Sequence, residues 1–210
     1  PPGAGKSTLI ESLGMHLIGL GHRVAVLAVD PSSSITGGSI LGDKTRMTLL
    51  ARDEAAYVRP TPSRGHLGGV AGSTDEVILL CEAAGFDIVL VETVGTGQSE
   101  AVVAETVDMV MLCIPPAGGD ELQGIKRGLV EMADIIVVTK CDGALETTAK
   151  NTRGDYGRSL RLLRGKESKW VPKALTCSAS DPAKVEKVWK AAEKFQQHMV
   201  SSGALTRQRS

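Results

Sequence analysis

The sequence carries no surplus of charge: 24 Lys and Arg balance 24 Asp and Glu. Dispersed along the chain, these charges leave no electrostatic footprint for nucleic acid or for an anionic membrane surface, and neither is expected as a partner. No apolar run approaches the ~18 residues of a membrane-spanning helix, and there is no internal repeat or low-complexity tract. The four cysteines, Cys81, Cys113, Cys141 and Cys177, show no C-x-x-C spacing. Three lie in or beside apolar runs, where a thiol serves as a small core residue, a usage that suits a reducing compartment. His16, His22, His66 and His198 are scattered, and none pairs with a cysteine at metal-ligand spacing, so a metal-delivery site has little support.

What the 210 residues do contain is enough apolar side chain, 42%, for one sizeable core. One domain over 1–202 is the simplest organisation, with 203–210 a polar tail, either disordered or the first residues of a truncated extension. The chain opens on Pro1-Pro2-Gly3-Ala4-Gly5-Lys6-Ser7-Thr8. This is a G-x-x-x-x-G-K-[ST] phosphate loop lacking its first glycine. Glycines let backbone N–H groups turn inward around phosphate oxygens, Lys6 supplies a compact charge, and Ser7 offers a hydroxyl to Mg²⁺. Leu9, Ile10, Leu13, Leu17 and Leu20 follow at helical spacing, so the anion would sit at a helix N-terminus. Such a loop normally follows a buried strand. The chain is therefore expected to be a fragment that has lost that strand, unstable on its own, and any leader peptide is left open.

Beyond the loop, strands and helices alternate. Strands are predicted over 23–29, 56–59, 86–91, 108–114, 134–139 and 173–176. Helices are predicted over 47–52, from Ser73 or Thr74 to about 84, and over 119–132, 145–163 and 182–200. The segments 32–45 and 60–73 are rich in Gly, Ser and Pro and read as loops, the first as a mobile active-site loop. The alternation predicts an α/β fold with a mainly parallel sheet in a three-layer P-loop NTPase arrangement, its strand-end loops gathered on one edge.

Acids fall on that edge. Asp30 and Glu92 end strands and Asp43 lies in the loop between, where carboxylates can hold Mg²⁺ and orient an attacking water. An acid after a strand is more often a helix cap, but the upstream phosphate loop favours the functional reading for Asp30 and Glu92. Asp43 reads equally well as a solvated loop residue. Gly95 and Gly97 beside Gln98 could form a γ-phosphate sensor or an ordinary turn. Thr139-Lys140-Cys141-Asp142 resembles the guanine-reading motif N-K-x-D, with Thr139 in place of Asn, and Ser178-Ala179 follows the next strand as the second base-contacting loop would. Guanine is favoured over adenine.

Longer motifs add a resemblance. V-D-P-S-S at 29–33, G-D-K-T-R-M at 42–47, R-G-x-L-G-G at 64–69, E-T-V-G-x-G-Q-S-E at 92–100 and G-G-D-E-L-Q-G-I-K-R-G at 118–128 resemble the methylmalonyl-CoA mutase-associated GTPase family. The resemblance implies a GTPase of the signal recognition particle and metallochaperone class. It further implies that hydrolysis of GTP to GDP gates cofactor loading and protection of an adenosylcobalamin-dependent mutase. It implies that Gly3, Ala4, Gly5, Lys6, Ser7 and Thr8 cradle phosphate, that Ser7, Asp30, Asp43 and Glu92 serve Mg²⁺ and catalysis, and that Gly95 senses the γ-phosphate. Lys140, Asp142, Ser178 and Ala179 would read guanine. The segment 120–126 looks like a third switch that communicates with the mutase and brings Lys126 toward the nucleotide. A homodimer is implied for the parent protein, in the cytoplasm of a bacterium or in a mitochondrial matrix. An older name for such proteins, arginine/ornithine transport ATPase or kinase, keeps an ATP-dependent enzyme as an alternative. A nucleotide-sensing binding module is a third reading.

Overall fold

A computed structural model describes residues 3–30, 47–62, 67–93, 100–117, 127–163 and 170–209. Asp43, Gly95, Lys126 and the 120–126 segment, all singled out from the sequence, lie outside these residues. The described chain forms two compact units, one of Lys6–Thr106 and one of Val107–Ser210 together with Gly3–Gly5.

In the first unit the order is α1 (Lys6–Gly19), β1 (Val24–Asp30), a 3₁₀ turn (Leu50–Arg52), β2 (Ala56–Pro62), α2 (Leu67–Ala83), β3 (Ile88–Thr93) and α3 (Glu100–Ala104). The strands form a parallel sheet ordered β2-β1-β3. Central β1 reads VAVLAVD because it is covered on both faces, and Val24 to Val29 are all buried. Ala25 and Leu27 cluster with Cys81, Val77 and Ile78 of α2 and with Val89 and Val91 of β3. Among the described residues β3 pairs with β1, and all six of its residues are half-buried. The register sets Ala28 opposite Glu92 and Val29 opposite Thr93, so β1 and β3 end together. α1 buries Leu9, Leu13 and Leu17, whereas Leu20 beyond its end is exposed.

The second unit contains β4 (Met111–Ile114), α4 (Arg127–Met132), β5 (Ile135–Val138), a 3₁₀ turn (Gly143–Leu145), α5 (Glu146–Leu163), β6 (Lys173–Thr176), α6 (Pro182–Ser201) and α7 (Ala204–Arg209). Its sheet is also parallel, ordered β4-β5-β6. All four residues of β5 are fully buried. Ile136 and Val138 share a cluster with Ile114, Val130 of α4 and Ala149, Tyr156 and Leu160 of α5. Alternation sends Ile135 and Val137 to the opposite face, and α6 also packs on β5 and β6. The Tyr156 hydroxyl has no hydrogen-bond partner among the described residues, and burial pushes its pKa up to about 12.

Three elements depart from expectation. α2 begins at Leu67, ahead of Ser73 and Thr74, running through Gly68, Gly69 and Gly72. Glycine disfavours helix, and the packing of α2's later turns on β1 and β3 outweighs that penalty. The 203–210 tail is not all irregular: α7 forms, Gln208 Nε2 donates to the Val107 carbonyl at 2.9 Å, and the Arg209 guanidinium pairs with Asp108. The strand predicted over 108–114 shortens to Met111–Ile114. Asp108 is engaged by Arg209, and the Val110 N–H donates to Asp134 Oδ2 at 3.0 Å instead of to a ladder.

Candidate functional site

In the first unit, α1 starts at Lys6, so its first turn belongs to the phosphate motif itself. Ser7, on that turn, donates its hydroxyl to Glu92 Oε1 at 2.8 Å. Two oxygen-bearing side chains are thereby brought together across 85 residues of sequence. Asp30 is the last residue of β1, the strand next to β3. Thr8 is exposed.

In the second unit, Gly3 (φ 72°) and Gly5 (φ 71°) lie in the left-handed region on either side of Ala4, which is wholly buried. Alternating conformations of this kind turn successive N–H groups toward one side of a loop. The buried hydroxyl of Thr139 lies 2.7 Å from the Ala4 carbonyl and 3.1 Å from that of Ile114 at the end of β4. One hydroxyl proton serves these two acceptors, and the shorter contact is to the phosphate loop. A Cβ built on Gly5 would stand 3.8 Å from Lys140 Cε, so the lysine stem runs alongside the glycine. Lys140 itself has φ 52°, the one positive φ at a non-glycine among the described residues. Such a conformation is strained for a side chain with a Cβ, and strain of this sort collects at functional loops.

Asp142 lies two residues on and is exposed, and one of its carboxylate oxygens accepts the hydroxyl of buried Ser178. Ser178 also meets Ser180 at 2.8 Å. The two loops are joined by their backbones too: the Cys141 N–H donates to Cys177 O at 3.0 Å. Lys184 of α6 donates to the Cys141 carbonyl at 2.7 Å, and Asp181 caps the same helix by accepting from the Ala183 and Lys184 N–H groups. Burial, with the Asp181 charge adding to it, pushes the Cys177 thiol up to about 11.

Sequence reasoning placed Lys140, Asp142, Ser178 and Ala179 at neighbouring strand ends, and the structure brings the loops that carry them together. It missed Ser180 and Lys184. The Asp181-Pro182 start of α6 was the available signal, because a capped helix opening at a strand end presents its first-turn side chains to the neighbouring loop. Thr139, read as a departure from Asn, is a buried link to the phosphate loop.

Glycines at positive φ leading into a helix, a helical serine held by a strand-end glutamate and parallel α/β sheets together define a P-loop nucleotide-binding fold. The crystal structure of an LAO/AO transport system kinase shares that fold with a TM-score of 0.81 and 43% identity, covering 99% of this chain and 60% of the other. The family model for the methylmalonyl Co-A mutase-associated GTPase MeaB matches residues 1–210, and the chain belongs to that family. The mitochondrial methylmalonic aciduria type A homolog of Mus musculus is 54% identical over all of this chain and 50% of its own length. GTPase ArgK of Escherichia coli K12 is 54% identical over 97% of this chain and 62% of its own. The chain thus spans between half and two thirds of the length of these relatives.

Proposed function

We propose that this chain is the nucleotide-handling part of a GTP-hydrolysing chaperone. Its GTPase cycle gates cofactor loading and protection of an adenosylcobalamin-dependent methylmalonyl-CoA mutase. The observation that carries the reading is the Ser7–Glu92 bond. It joins the phosphate-motif hydroxyl to a strand-end acid, the pairing that phosphoryl transfer needs beside the β- and γ-phosphates. Family membership supplies the mutase as partner.

The residues have separate tasks. Gly3, Ala4 and Gly5 turn N–H groups to the phosphates, and Lys6 adds a point charge where negative charge accumulates. The oxygen donors of Ser7 and Glu92, with Asp30 on the neighbouring strand and Asp43 following, fit Mg²⁺, a hard cation that takes oxygen ligands. When bound, Mg²⁺ neutralises charge on the phosphate oxygens. Asp142 accepts the two guanine N–H donors while Ser178 fixes its carboxylate, and the Lys140 stem packs on the base. Adenine offers no matching donor pair to Asp142, which favours GTP over ATP. Gly95 and Lys126 are assigned to γ-phosphate sensing and to the mutase response by family membership alone. The compartment proposed is cytoplasm for a bacterial source and mitochondrial matrix for a eukaryotic one, since relatives of both origins occur.

The test is phosphate release from GTP and from ATP, with and without methylmalonyl-CoA mutase. Slow GTP turnover that rises with the mutase is expected. ATP preference would instead support a kinase or transport ATPase, the reading suggested by the likeness to the LAO/AO transport system kinase.

A further inference from the structure

Lys184 stands in the first turn of α6, three residues after the Asp181 cap. A cation is disfavoured there, because the free N–H groups and the dipole of a helix start favour negative charge. The first turn holds no acidic residue to offset it. The Lys184 side chain is nevertheless only 25% exposed. Its Nζ donates to the Cys141 carbonyl at 2.7 Å and lies 3.6 Å from Asp181 Oδ2. The closer partner is thus the backbone of the neighbouring loop and not the cap of its own helix.

The Cys141 oxygen belongs to the planar peptide unit that joins Cys141 to Asp142, so a bond to it sets the plane from which the Asp142 side chain departs. The Cys141 N–H, on the other side of the residue, donates to Cys177 O at 3.0 Å. Cys141 is therefore gripped at both of its peptide groups, between Lys140 at φ 52° and Gly143 at φ 48°. A left-handed lysine persists only where its surroundings hold it, and these two bonds restrain the very next residue. Asp181 joins the same arrangement. Its N–H donates to the Ser178 carbonyl at 3.1 Å, while the Ser178 hydroxyl donates to the Asp142 carboxylate. One bond at an oxygen leaves a carboxylate free to pivot about it, and a fixed backbone removes that freedom.

We propose that Lys184 is a positioning residue for base selection. By holding the peptide between Cys141 and Asp142, it aims both carboxylate oxygens of Asp142 at the two adjacent donors of guanine and so sets the margin by which guanine nucleotides are preferred. The proposal rests on the reading of Asp142 as the guanine acceptor, and Lys184 acts through that residue.

The experiment titrates the whole chain with GDP, inosine diphosphate and ADP, comparing wild type with Lys184→Met and Asp181→Asn. Methionine keeps the apolar stem and removes the ammonium. Asparagine keeps the helix cap and removes the charge 3.6 Å from Lys184. Inosine lacks the exocyclic amine of guanine, so it offers Asp142 one donor in place of two. For Lys184→Met, GDP is expected to weaken about tenfold while ADP changes by less than about twofold. The advantage of GDP over inosine diphosphate should shrink severalfold. Asp181→Asn should keep both preferences within about twofold of wild type, as a partly exposed ion pair contributes little. Lys184→Gln, shorter by one bond and uncharged, should repeat the methionine result, so the outcome does not hang on the folding of one variant. Equal weakening of GDP and ADP would overturn the proposal by making Lys184 a general support of the fold, and so would unchanged preferences in both lysine variants. A loss of preference in Asp181→Asn equal to that in Lys184→Met would assign the effect to the ion pair and overturn the role of the carbonyl bond. Wild type without a preference for GDP over ADP would overturn the reading of Asp142 itself, a result distinct from an intact preference that the lysine variants leave untouched.

Discussion

Two carboxylates in this molecule each accept a serine hydroxyl, one in each compact unit, and the pairs are built differently. Glu92 lies near the end of β3, a half-buried strand paired with β1, and its serine comes from the first turn of α1. Asp142 follows β5, the fully buried central strand, and its serine is buried, bonded to Ser180 and backed by the Cys141–Cys177 and Lys184–Cys141 hydrogen bonds. Among the described residues, the first pair joins a helix turn to a strand, and the second is joined to further hydrogen bonds between its two loops. On the proposed function, the first pair serves phosphoryl transfer and the second serves base selection.

The largest effect that would break this division is at Glu92. Glu92→Ala is expected to lower GTP turnover ~100-fold or more while GTP affinity changes by less than about tenfold, if the acid serves the reacting phosphate as proposed. Single-turnover phosphate release beside a fluorescent-nucleotide titration measures both. A loss of affinity equal to the loss of rate would make Glu92 a binding residue like Asp142. Asp142→Ala should do the converse. Losing a charged acceptor for two guanine donors weakens GTP by more than ~100-fold, at about 1.5–3 kcal/mol per bond, and erases most of the preference over ATP. Competition between GTP and ATP reads this directly, and a preserved preference would remove Asp142 from base selection.

These residues were legible because their types and places are local facts: a carboxylate after a β-branched run, or a Thr-Lys-x-Asp following four buried residues. What joins them was not. The Thr139 hydroxyl meets Ala4 across 135 residues, and Ser7 meets Glu92 across 85. Neither periodicity nor spacing records such a distance. Thr139 looked like a defect in the motif because a sequence shows the missing amide and not the carbonyl that a hydroxyl can reach. α2 began earlier than its best cap because three glycines hid a helix that tertiary packing holds. α7 was hidden for a related reason, since the Arg209–Asp108 pair and the Gln208–Val107 bond that accompany it each span 101 residues.

A smaller effect sharpens the comparison from the network side. Thr139→Val leaves the Ala4 carbonyl without the hydroxyl, a loss of about 1–2 kcal/mol for a buried bond. Because that bond holds the phosphate loop, GTP and GDP should weaken alike, by roughly tenfold, with the preference over ATP intact. Thr139→Ser should recover most of the affinity. A change in base preference would mean that Thr139 belongs to the selection network and not to the loop.

The smallest effect lies at the opposite ends of the same strands, where each unit again uses a carboxylate. Asp134, just before β5, accepts the Val110 N–H and is half-buried. Asp87, just before β3, accepts the Arg23 N–H at 2.7 Å and pairs with His22 at 2.6 Å, but it is exposed. At Asp87 desolvation pulls the carboxyl upward, yet the His22 and Arg23 hydrogen bonds outweigh it and hold the group below its ordinary value. A lowered folded-state pKa makes the contribution complete above the ordinary carboxylate value of ~3.9 and lost as pH falls through the folded value. Solvent screening keeps it small, under ~1 kcal/mol. Thermal unfolding between about pH 2.5 and 7 should therefore show wild type losing its advantage over Asp87→Asn below about pH 4. The gap at neutral pH should not exceed ~3 °C. A gap that persists unchanged at low pH would show that the asparagine carbonyl fails to replace the Arg23 acceptor, and that this corner of β3 depends on geometry and not on charge.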